Sequence, residues 1–372
     1  MSDLQSLRKK IDSLDTTLVN ILNERARVSL DIGAAKRQAE AGKELQNGDE
    51  LHVYMPGREK EVYAKLERLN SGPLKHDSLH AIFREIMSAS IALQKDVSIA
   101  YLGPPGTFSH QAAYQRLGDS VAYTPQKQIA DVFEAVEKGR ATYGIVPFEN
   151  STFGTVVESM DCFIKTSTRV RAEAYLPVHQ CLLSNTTSLE KITKVYSHEQ
   201  GLGQTQLWLS NHIPNAKRVG VKSTAEAARL AAMETGAAAV CSEICAQLYG
   251  LEVIARDIED GASNITRFLI IGTSSDNATA DDHTLIRFTV DHRQPGALCD
   301  GLKVFKDYDL NLFKIDSRPS GLRPWHYVFF VECSGHAQKE AVQMAVRDLN
   351  KFCLDVVVLG SFPNQRPAET NH

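Results

Sequence analysis

The sequence lacks any apolar run long enough to cross a bilayer, and its N-terminal MSDLQSLRKK lacks the apolar stretch of a secretory signal. It has no long basic stretch, and its net charge of −4 argues against nucleic acid as a partner. Its seven cysteines are scattered, and no second pair or histidine cluster joins Cys241 and Cys245 in a zinc pattern. These absences predict a cytoplasmic protein with reduced thiols that does not bind a membrane.

With 372 residues the chain is too long for one typical core, and its periodicity changes along its length. Residues 1–96 have a helical pattern, and residues 97–275 alternate short β runs with helical segments. The polar stretch GTSSDNATADDH then has the composition of a linker, and residues 283–363 form a smaller α/β unit. The sequence therefore predicts a multidomain protein, in which an all-α domain precedes two domains that contain β-sheet.

The first block carries an apolar stripe along one long helix. Its positions follow at alternating spacings of three and four: Leu4, Leu7, Ile11, Leu14, Leu18, Ile21, Arg25, Val28, Ile32 and Ala35. A helix from Ser2 to Ala41 would be about 60 Å long. The two helices that follow, over 57–70 and 75–95, are too short to cover it. The uncovered stripe predicts an intertwined helical homodimer or a higher homo-oligomer.

Cations and polar groups interrupt the apolar faces of this block. Arg25 occupies one position of the stripe, and Lys36 lies about three turns later on nearly the same face. Two cations directed into a helical core are costly unless an anion meets them. Ser90 and Gln94 share a face of the third helix, and Arg58 opens the second. One interpretation is a salt bridge at Arg25 that sets the helix register. The other is an anion pocket inside a helical bundle.

The segments LRKKIDSLD, LNERARVSLDIGAAK, PGREKEVYAKL and IFREIMSASIALQ resemble the helical chorismate mutases over nearly the whole block. The resemblance implies a Claisen rearrangement of chorismate to prephenate, which needs a compact conformer and stabilised charge separation rather than a nucleophile. By this resemblance Arg25 and Ser90 bind substrate carboxylates, and Arg8 reaches across from the partner chain. The remaining assignments are Lys36 and Gln94 at the ether oxygen, Glu59 at the substrate hydroxyl and Arg58 in the anion pocket.

Polar clusters accompany four β runs of the central block. They are GPPGTFSHQAA, VPFENS, YSHEQGLGQ and NITRF. Helical segments between the runs predict an α/β architecture with mainly parallel strands, in which ligands bind at strand ends. Each cluster alone is typical of helix caps and turns. Four such clusters together favour a shared cleft.

These clusters resemble prephenate dehydratase over most of residues 98–272, and TRF at 266–268 is the most telling motif. The resemblance implies two α/β subdomains similar to periplasmic binding proteins, and loss of CO2 and water from prephenate to give phenylpyruvate. Thr266 would contact the leaving hydroxyl, and Arg267 would either bind the retained pyruvyl carboxylate or form a structural ion pair. The polar lining of the cleft would be Glu149, Asn150, Ser197 and Gln204, with Glu149 as the alternative acid.

Residues 283–363 follow the order β-α-β-β-α-β. GAL at 296–298 opens a helix, and DSRPSG at 316–321 follows a strand, which ordinary turn chemistry would also produce. In this order the two motifs resemble the ligand motifs of the phenylalanine-sensitive ACT regulatory domain, an α+β ferredoxin-like fold, although Asp316 stands where that family has glutamate. The resemblance implies that a helix N-terminus holds the effector carboxylate. The implied phenylalanine-binding residues are Gly296, Ala297, Leu298, Asp316, Ser317, Arg318 and Pro319.

The three resemblances together imply a bifunctional enzyme of phenylalanine biosynthesis, a chorismate mutase and prephenate dehydratase that uses neither a metal nor an organic cofactor. Its small-molecule partners would be chorismate, prephenate and the feedback inhibitor L-phenylalanine. Two alternatives stay open at this point. One is a non-catalytic amino-acid sensor, and the other is an enzyme with a single active module, which would be a prephenate or an arogenate dehydratase.

Overall fold

The computed structural model describes residues 4–41, 53–261, 264–321 and 323–367. Ser2, where the first helix is predicted to begin, lies outside the described residues. The chain divides into two compact units. The helical unit contains residues 1–98 together with 116–122, and the second unit contains residues 99–115 and 123–372.

The helical unit is built from α1 (Leu4–Ala41), α2 (Pro56–Leu69) and α3 (His76–Gln94). α1 packs along α3, and the two helices approach closely at Gly33, where an added Cβ would meet Gln94 at 3.2 Å. The predicted stripe lies on the open side of α1. Its large apolar members are 45% to 62% exposed: Leu4, Leu7, Ile11, Leu14, Leu18, Ile21, Val28 and Ile32. A single chain therefore leaves this apolar face uncovered.

The central segment alternates strands and helices, as the sequence predicts. In chain order they are β1 (Ser98–Leu102), α4 (Phe108–Leu117), β2 (Ala122–Gln126), α5 (Ile129–Glu137), β3 (Tyr143–Asn150), β4 (Gly154–Thr155), α6 (Val157–Lys165), β5 (Arg169–Pro177), β6 (Cys181–Ser184), β7 (Lys194–His198), α7 (Glu199–Gln204), α8 (Gln206–His212), β8 (Lys217–Val221), α9 (Thr224–Met233), β9 (Ala237–Cys241), α10 (Ile244–Tyr249), β10 (Glu252–Ala255) and β11 (Ile265–Gly272).

Two sheets divide this segment into two lobes. The first lobe has strand order β2-β1-β3-β11-β5, with β4 beside β3, and the second has the order β10-β6-β9-β7-β8. The expectation of mainly parallel strands is wrong, because β11 runs antiparallel to both β3 and β5, and β6 runs antiparallel to β9 and β10. The physical reason is the path of the chain: it leaves the first lobe after β5, forms the second lobe, and returns to the first as β11, which lies between β3 and β5. The two crossings are joined where Val178 N donates to the Asn264 carbonyl oxygen over 2.7 Å.

The C-terminal segment contains β12 (Asp282–Thr289), α11 (Ala297–Asp307), β13 (Leu312–Pro319), β14 (Tyr327–Ser334), α12 (Glu340–Phe352) and β15 (Leu354–Pro363). Its four strands pair antiparallel in the order β13-β14-β12-β15, so the predicted succession of elements is confirmed. One core joins this sheet to the first lobe, since Phe330 and Phe362 pack with Phe148 and Leu269. β15 lies against β5 so closely that a Cβ on Gly360 would meet the Val170 carbonyl oxygen at 2.3 Å.

Among the described residues, no helix combines the length and the apolar character that a membrane span requires.

Candidate active sites

A cavity of about 270 Å³ in the helical unit is lined by α1, α2, α3 and the residues just before α2. Six residues of the predicted mutase-type site line it: Arg25, Lys36, Arg58, Glu59, Ser90 and Gln94. Arg8 is exposed near the start of α1 and does not line the cavity of its own chain. The helical packing therefore assembles the polar groups that the sequence separates.

The cations of this helical cavity are held by α3. Arg25 Nη1 donates to Ser90 Oγ and lies 3.5 Å from the Ile86 carbonyl oxygen. Lys36 Nζ donates to Gln94 Oε1 over 3.2 Å, and Gln94 Nε2 donates to the Ser90 carbonyl oxygen over 3.0 Å. Burial lowers the pKa of Arg25, because a partly desolvated cation is less stable than one in water. The arrangement suits an anionic ligand, which would restore the lost solvation.

Glu59 is the acidic residue among those that line the helical cavity, and it is only 7% exposed. Burial raises the pKa of Glu59, while the charge of Arg116 acts in the opposite direction. Arg116 Nη2 lies 2.8 Å from Glu59 Oε2. Arg58 instead directs its guanidinium to Glu61 over 2.6 Å, with both side chains largely exposed. Sequence reasoning missed Arg116, because no local pattern links it to the first block.

A second cavity of about 270 Å³ lies between the two lobes of the α/β body. Three residues of the predicted dehydratase-type site line it: Asn150, Gln204 and Thr266. Thr266 and Asn150 are register partners on β11 and β3, and Asn150 Nδ2 donates to Thr266 Oγ1 over 3.0 Å. The same amide donates to Asn264 Oδ1 over 2.6 Å, and its oxygen accepts the backbone N–H groups of Thr152 and Phe153. The Asn150 amide is thereby held in one orientation beside the Thr266 hydroxyl.

Glu149, Ser197 and Arg267 do not line the cavity between the lobes. Because side chains alternate along a strand, Glu149 and Arg267 point to the opposite face from Asn150 and Thr266. Ser197 is fully buried, and its Oγ donates to the Val240 carbonyl oxygen over 2.7 Å. Direct contact of these three residues with a substrate therefore stays a prediction that the placement does not favour.

Arg267 lies instead at the centre of a buried ionic cluster that joins β11 to β5 and β14. Its Nε donates to Glu173 Oε2 over 2.8 Å, and its Nη1 and Nη2 donate to Glu332 over 2.9 and 2.8 Å. His283 Nδ1 lies 2.8 Å from Glu332 Oε1. Glu149 is near the same cluster, with Oε1 accepting from Lys314 Nζ over 2.8 Å. The geometry matches the ion-pair interpretation of Arg267.

Sequence reasoning missed several residues of this second cavity. Lys222 carries the positive charge among the described lining residues, and Ser223 and Thr224 lie beside it at the start of α9. Ser223 Oγ accepts the N–H of Glu226 over 3.1 Å, as an N-cap does. The signal was present in the sequence, because RVGV runs into KSTAEAA as a strand followed by a capped helix, which is a common anion-binding arrangement.

The predicted effector motifs lie on the C-terminal sheet and its first helix. Gly296 has φ +84° immediately before α11, a conformation that favours glycine, while Ala297 is buried and Leu298 half-buried. Asp316 Oδ2 accepts from Thr155 Oγ1 over 2.9 Å and lies 2.8 Å from Lys314 Nζ. Arg318 makes two bonds to Asp161, of 2.7 and 3.0 Å. Ser317 and Pro319 alternate with these residues and are exposed. One face of β13 thus contacts the first lobe.

Comparison with known proteins gives matches along most of the chain. The family described as Chorismate mutase type II matches residues 7–95, and the family described as Prephenate dehydratase matches residues 99–276. The bifunctional chorismate mutase/prephenate dehydratase of Aquifex aeolicus is 41% identical, over 98% of this chain and 98% of that protein. The protein of the same name from Stutzerimonas stutzeri is 39% identical, over 97% of each.

A solved structure is also similar to a large part of the chain. The prephenate dehydratase of Arthrobacter aurescens, in complex with L-Phe, is 31% identical and has a TM-score of 0.66, covering 74% of this chain and 93% of its own. The two cavities described above lie within the two matched stretches of sequence. The chain therefore belongs to the family of bifunctional chorismate mutase/prephenate dehydratases.

Proposed function

We propose that the helical cavity converts chorismate to prephenate, and that the cavity between the lobes converts prephenate to phenylpyruvate for aromatic amino acid biosynthesis. The observation that carries this proposal is the presence, in one chain, of two separate polar cavities, each inside the stretch that matches one of the two enzyme families. The product of the first reaction is the substrate of the second, so the two sites would act in sequence.

In the helical cavity, catalysis follows from positioning and electrostatics. Arg25 and Ser90, which contact each other, would bind one substrate carboxylate and hold the reactive conformer. Lys36 Nζ lies 3.2 Å from Gln94 Oε1, and the Gln94 amide gives one of its two N–H groups to the Ser90 carbonyl oxygen. Lys36 and the second N–H of Gln94 would donate to the ether oxygen as its bond breaks and negative charge develops there. Glu59 would accept a hydrogen bond from the substrate hydroxyl. No group has to transfer a proton in this rearrangement.

The mutase proposal includes a second copy of the chain. The exposed apolar face of α1 is too large to remain in water without cost, and a second α1 would cover it. Arg8 is on this helix but not in the cavity of its own chain. A dimer would bring the partner's Arg8 to the second substrate carboxylate, completing the site.

In the cavity between the lobes, Thr266 is placed to assist departure of the ring hydroxyl. Its Oγ accepts from Asn150, so its own proton is available to donate towards the cavity. The leaving hydroxyl gains a proton, water departs, and the electrons of the ring carboxylate's C–C bond form the aromatic ring as CO2 leaves. Lys222 and the N–H groups at the start of α9 would bind the retained pyruvyl carboxylate. The carboxylate that departs would lie away from this cation, where its charge is not stabilised.

For the C-terminal segment we infer an ACT-type regulatory domain that binds L-phenylalanine. Its element order, the glycine before α11 and the similarity to a prephenate dehydratase in complex with L-Phe support this function. β13 carries the predicted effector residues 316–319. Three side chains of this strand contact the first lobe: Lys314 bonds to Glu149 on β3, Asp316 to Thr155 and Arg318 to Asp161. A shift of β13 on effector binding would therefore reach the strand that carries Asn150.

Incubation of the purified protein with chorismate tests these proposals. Chorismate, prephenate and phenylpyruvate are followed in time, with and without phenylalanine, and prephenate and arogenate are each supplied separately. We expect sequential appearance of prephenate and phenylpyruvate, slowed by phenylalanine. If neither chorismate nor prephenate is consumed, the proposed enzymatic function is refuted; if only one is consumed, a single module is active. Faster turnover of arogenate would change the substrate of the second step.

A further inference from the structure

We propose that Arg116, at the end of α4, is a positioning residue of the mutase site that holds the Glu59 carboxylate in place. The inference rests on the proposed mutase function and assigns a further residue to it. Arg116 lies in the stretch that matches prephenate dehydratase, so the mutase site would depend on a side chain from the following family segment. Arg116 acts through Glu59, since it does not itself line the cavity.

The contact between Arg116 and Glu59 is buried and direct. Nη2 of Arg116 lies 2.8 Å from Oε2 of Glu59, and the two side chains are only 14% and 9% exposed. The guanidinium carbon also lies 5.9 Å from the ring centroid of Tyr54, which is 1% exposed and lines the cavity. Arg116 is thus packed between the carboxylate and the wall of the site.

The backbone after Arg116 is fixed to α3 independently of this ion pair. Asp119 N donates to Glu85 Oε2 over 2.8 Å, and Ser120 N donates to Ser88 Oγ over 3.1 Å. Gly118 has φ +71° and passes so close that an added Cβ would meet the Ser88 Cβ at 2.6 Å. Residues 116–122 consequently belong to the helical unit. This attachment sets the position of Arg116 before any substrate binds.

The ion pair offsets the negative charge of the Glu59 carboxylate in the cavity. A buried, ionised carboxylate would repel a dianionic substrate beside it. Burial and the substrate's charge would both raise the pKa of that carboxylate and favour its protonated form. A nearby guanidinium neutralises that charge and keeps the oxygen as a hydrogen-bond acceptor for the substrate hydroxyl. Without Arg116, the pKa of Glu59 would rise further than burial already raises it. A protonated Glu59 would donate where an acceptor is needed.

Other charged groups near Glu59 remain in place when Arg116 is changed. Arg25, Lys36 and Arg58 line the same cavity. The titratable neighbours are Tyr54 and Tyr63. Arg84 and Glu85, both on α3, affect the pKa of Tyr63 through their charges. Of these groups, Arg116 is the cation whose charge lowers the pKa of Glu59. Its removal therefore has a specific signature in the pH profile of the mutase reaction.

The test compares Arg116→Met, Arg116→Lys, Glu59→Gln and the double variant Arg116→Met/Glu59→Gln in the full chain. Initial rates of chorismate consumption are measured from about pH 5 to pH 9. We expect Arg116→Met to move the acidic limb of the kcat/KM profile to higher pH. At pH values below the pKa of Glu59, kcat/KM should fall about tenfold for each unit by which that pKa rises. Arg116→Lys should restore part of the shift. In the Glu59→Gln background, Arg116→Met should produce no further shift, because the titrating group is absent.

Arg68→Met is the matched control, because Arg68 is exposed on α2 and its loss changes the net charge equally. Conversion of added prephenate to phenylpyruvate reports on the fold of the second unit and should change less than about twofold in each variant. If the wild-type chain does not consume chorismate, the proposed mutase function fails. If it does, two outcomes refute the positioning role. One is a wild-type pH profile in Arg116→Met, and the other is an equal shift of the profile when Arg116→Met is introduced into Glu59→Gln.

Discussion

Replacement of Glu332 by glutamine removes one charge from the buried cluster that joins the TRF strand to the C-terminal sheet. Glu332 is 1% exposed, and both of its oxygens accept from Arg267, over 2.8 and 2.9 Å. Glutamine keeps the shape of the side chain but has one oxygen to accept and one amide to donate. Arg267 would retain Glu173 as its partner, so the variant should fold while losing stability.

The size of the effect follows from the ionisation of Glu332. Burial on its own raises the pKa, but hydrogen bonds and charge interactions with His283 and Arg267 lower the pKa of Glu332 to about 2 from 4.5. At about 1.4 kcal/mol per pKa unit, the paired carboxylate contributes about 3 kcal/mol. Loss of one partner of a buried ion pair typically costs about 3–5 kcal/mol. We therefore expect Glu332→Gln to destabilise the second unit by about 3 kcal/mol near pH 7.

Thermal unfolding measures this loss, which corresponds to a decrease of roughly 6–12 °C in the transition midpoint for a unit of this size. Because the folded pKa is lower than the unfolded one, the contribution is complete above about pH 4.5. It declines as pH falls towards about 2. The difference between wild type and Glu332→Gln should therefore shrink once the pH falls below about 4.5.

Asp355→Asn provides the comparison for the Glu332 experiment. Asp355 pairs with Arg287 on the same sheet, but its side chain is 61% exposed, so its loss should cost less than about 1 kcal/mol. If Glu332→Gln lowers the midpoint no more than Asp355→Asn does, the buried cluster does not stabilise the contact between β11 and β14. A difference that does not shrink below about pH 4.5 would show that another group titrates in place of Glu332.

Three further variants test the sites. Thr266→Ala should reduce phenylpyruvate formation by roughly 100-fold or more, as loss of a single transition-state donor does, so that prephenate accumulates from chorismate in a coupled time course. Lys36→Ala should abolish most of the chorismate consumption by removing the cation at the ether oxygen, while added prephenate is still converted at the wild-type rate. Lys314→Met should raise the phenylalanine concentration for half-inhibition by about tenfold, because it breaks the contacts of β13 with Glu149 and Thr155; calorimetry with phenylalanine should still detect binding.

Controls separate these outcomes from misfolding. Thr266→Ser keeps the hydroxyl and should recover much of the dehydratase rate. Equal loss of both reactions in Thr266→Ala or Lys36→Ala would indicate a damaged fold, and would contradict the assignment of each residue to one site. Unchanged phenylalanine inhibition in Lys314→Met would show that the effector signal does not pass through this contact.

Local periodicity was sufficient to predict much of this molecule. The spacing of leucine and isoleucine predicted α1, and the cations within that pattern predicted an anion pocket; Arg25 and Lys36 both line a cavity of the helical unit. Polar residues after four β runs predicted a cleft, and all four clusters supply residues to one cavity, among them Thr107, Asn150, Gln204 and Thr266. The sequence failed on strand direction, because it does not reveal that β11, which follows the second lobe along the chain, lies between β3 and β5 of the first lobe.

The sequence alone determined which segments carry the polar groups, because those groups are adjacent in the chain and follow helix or strand spacing. Tertiary structure decided which member of each adjacent pair faces the cavity. Strand register directs Thr266 and Asn150 inward and turns Arg267 and Glu149 towards the C-terminal sheet. It also brought Arg116 to Glu59, a contact between residues far apart in sequence. Neither choice is encoded in a local pattern, since both depend on packing between distant elements.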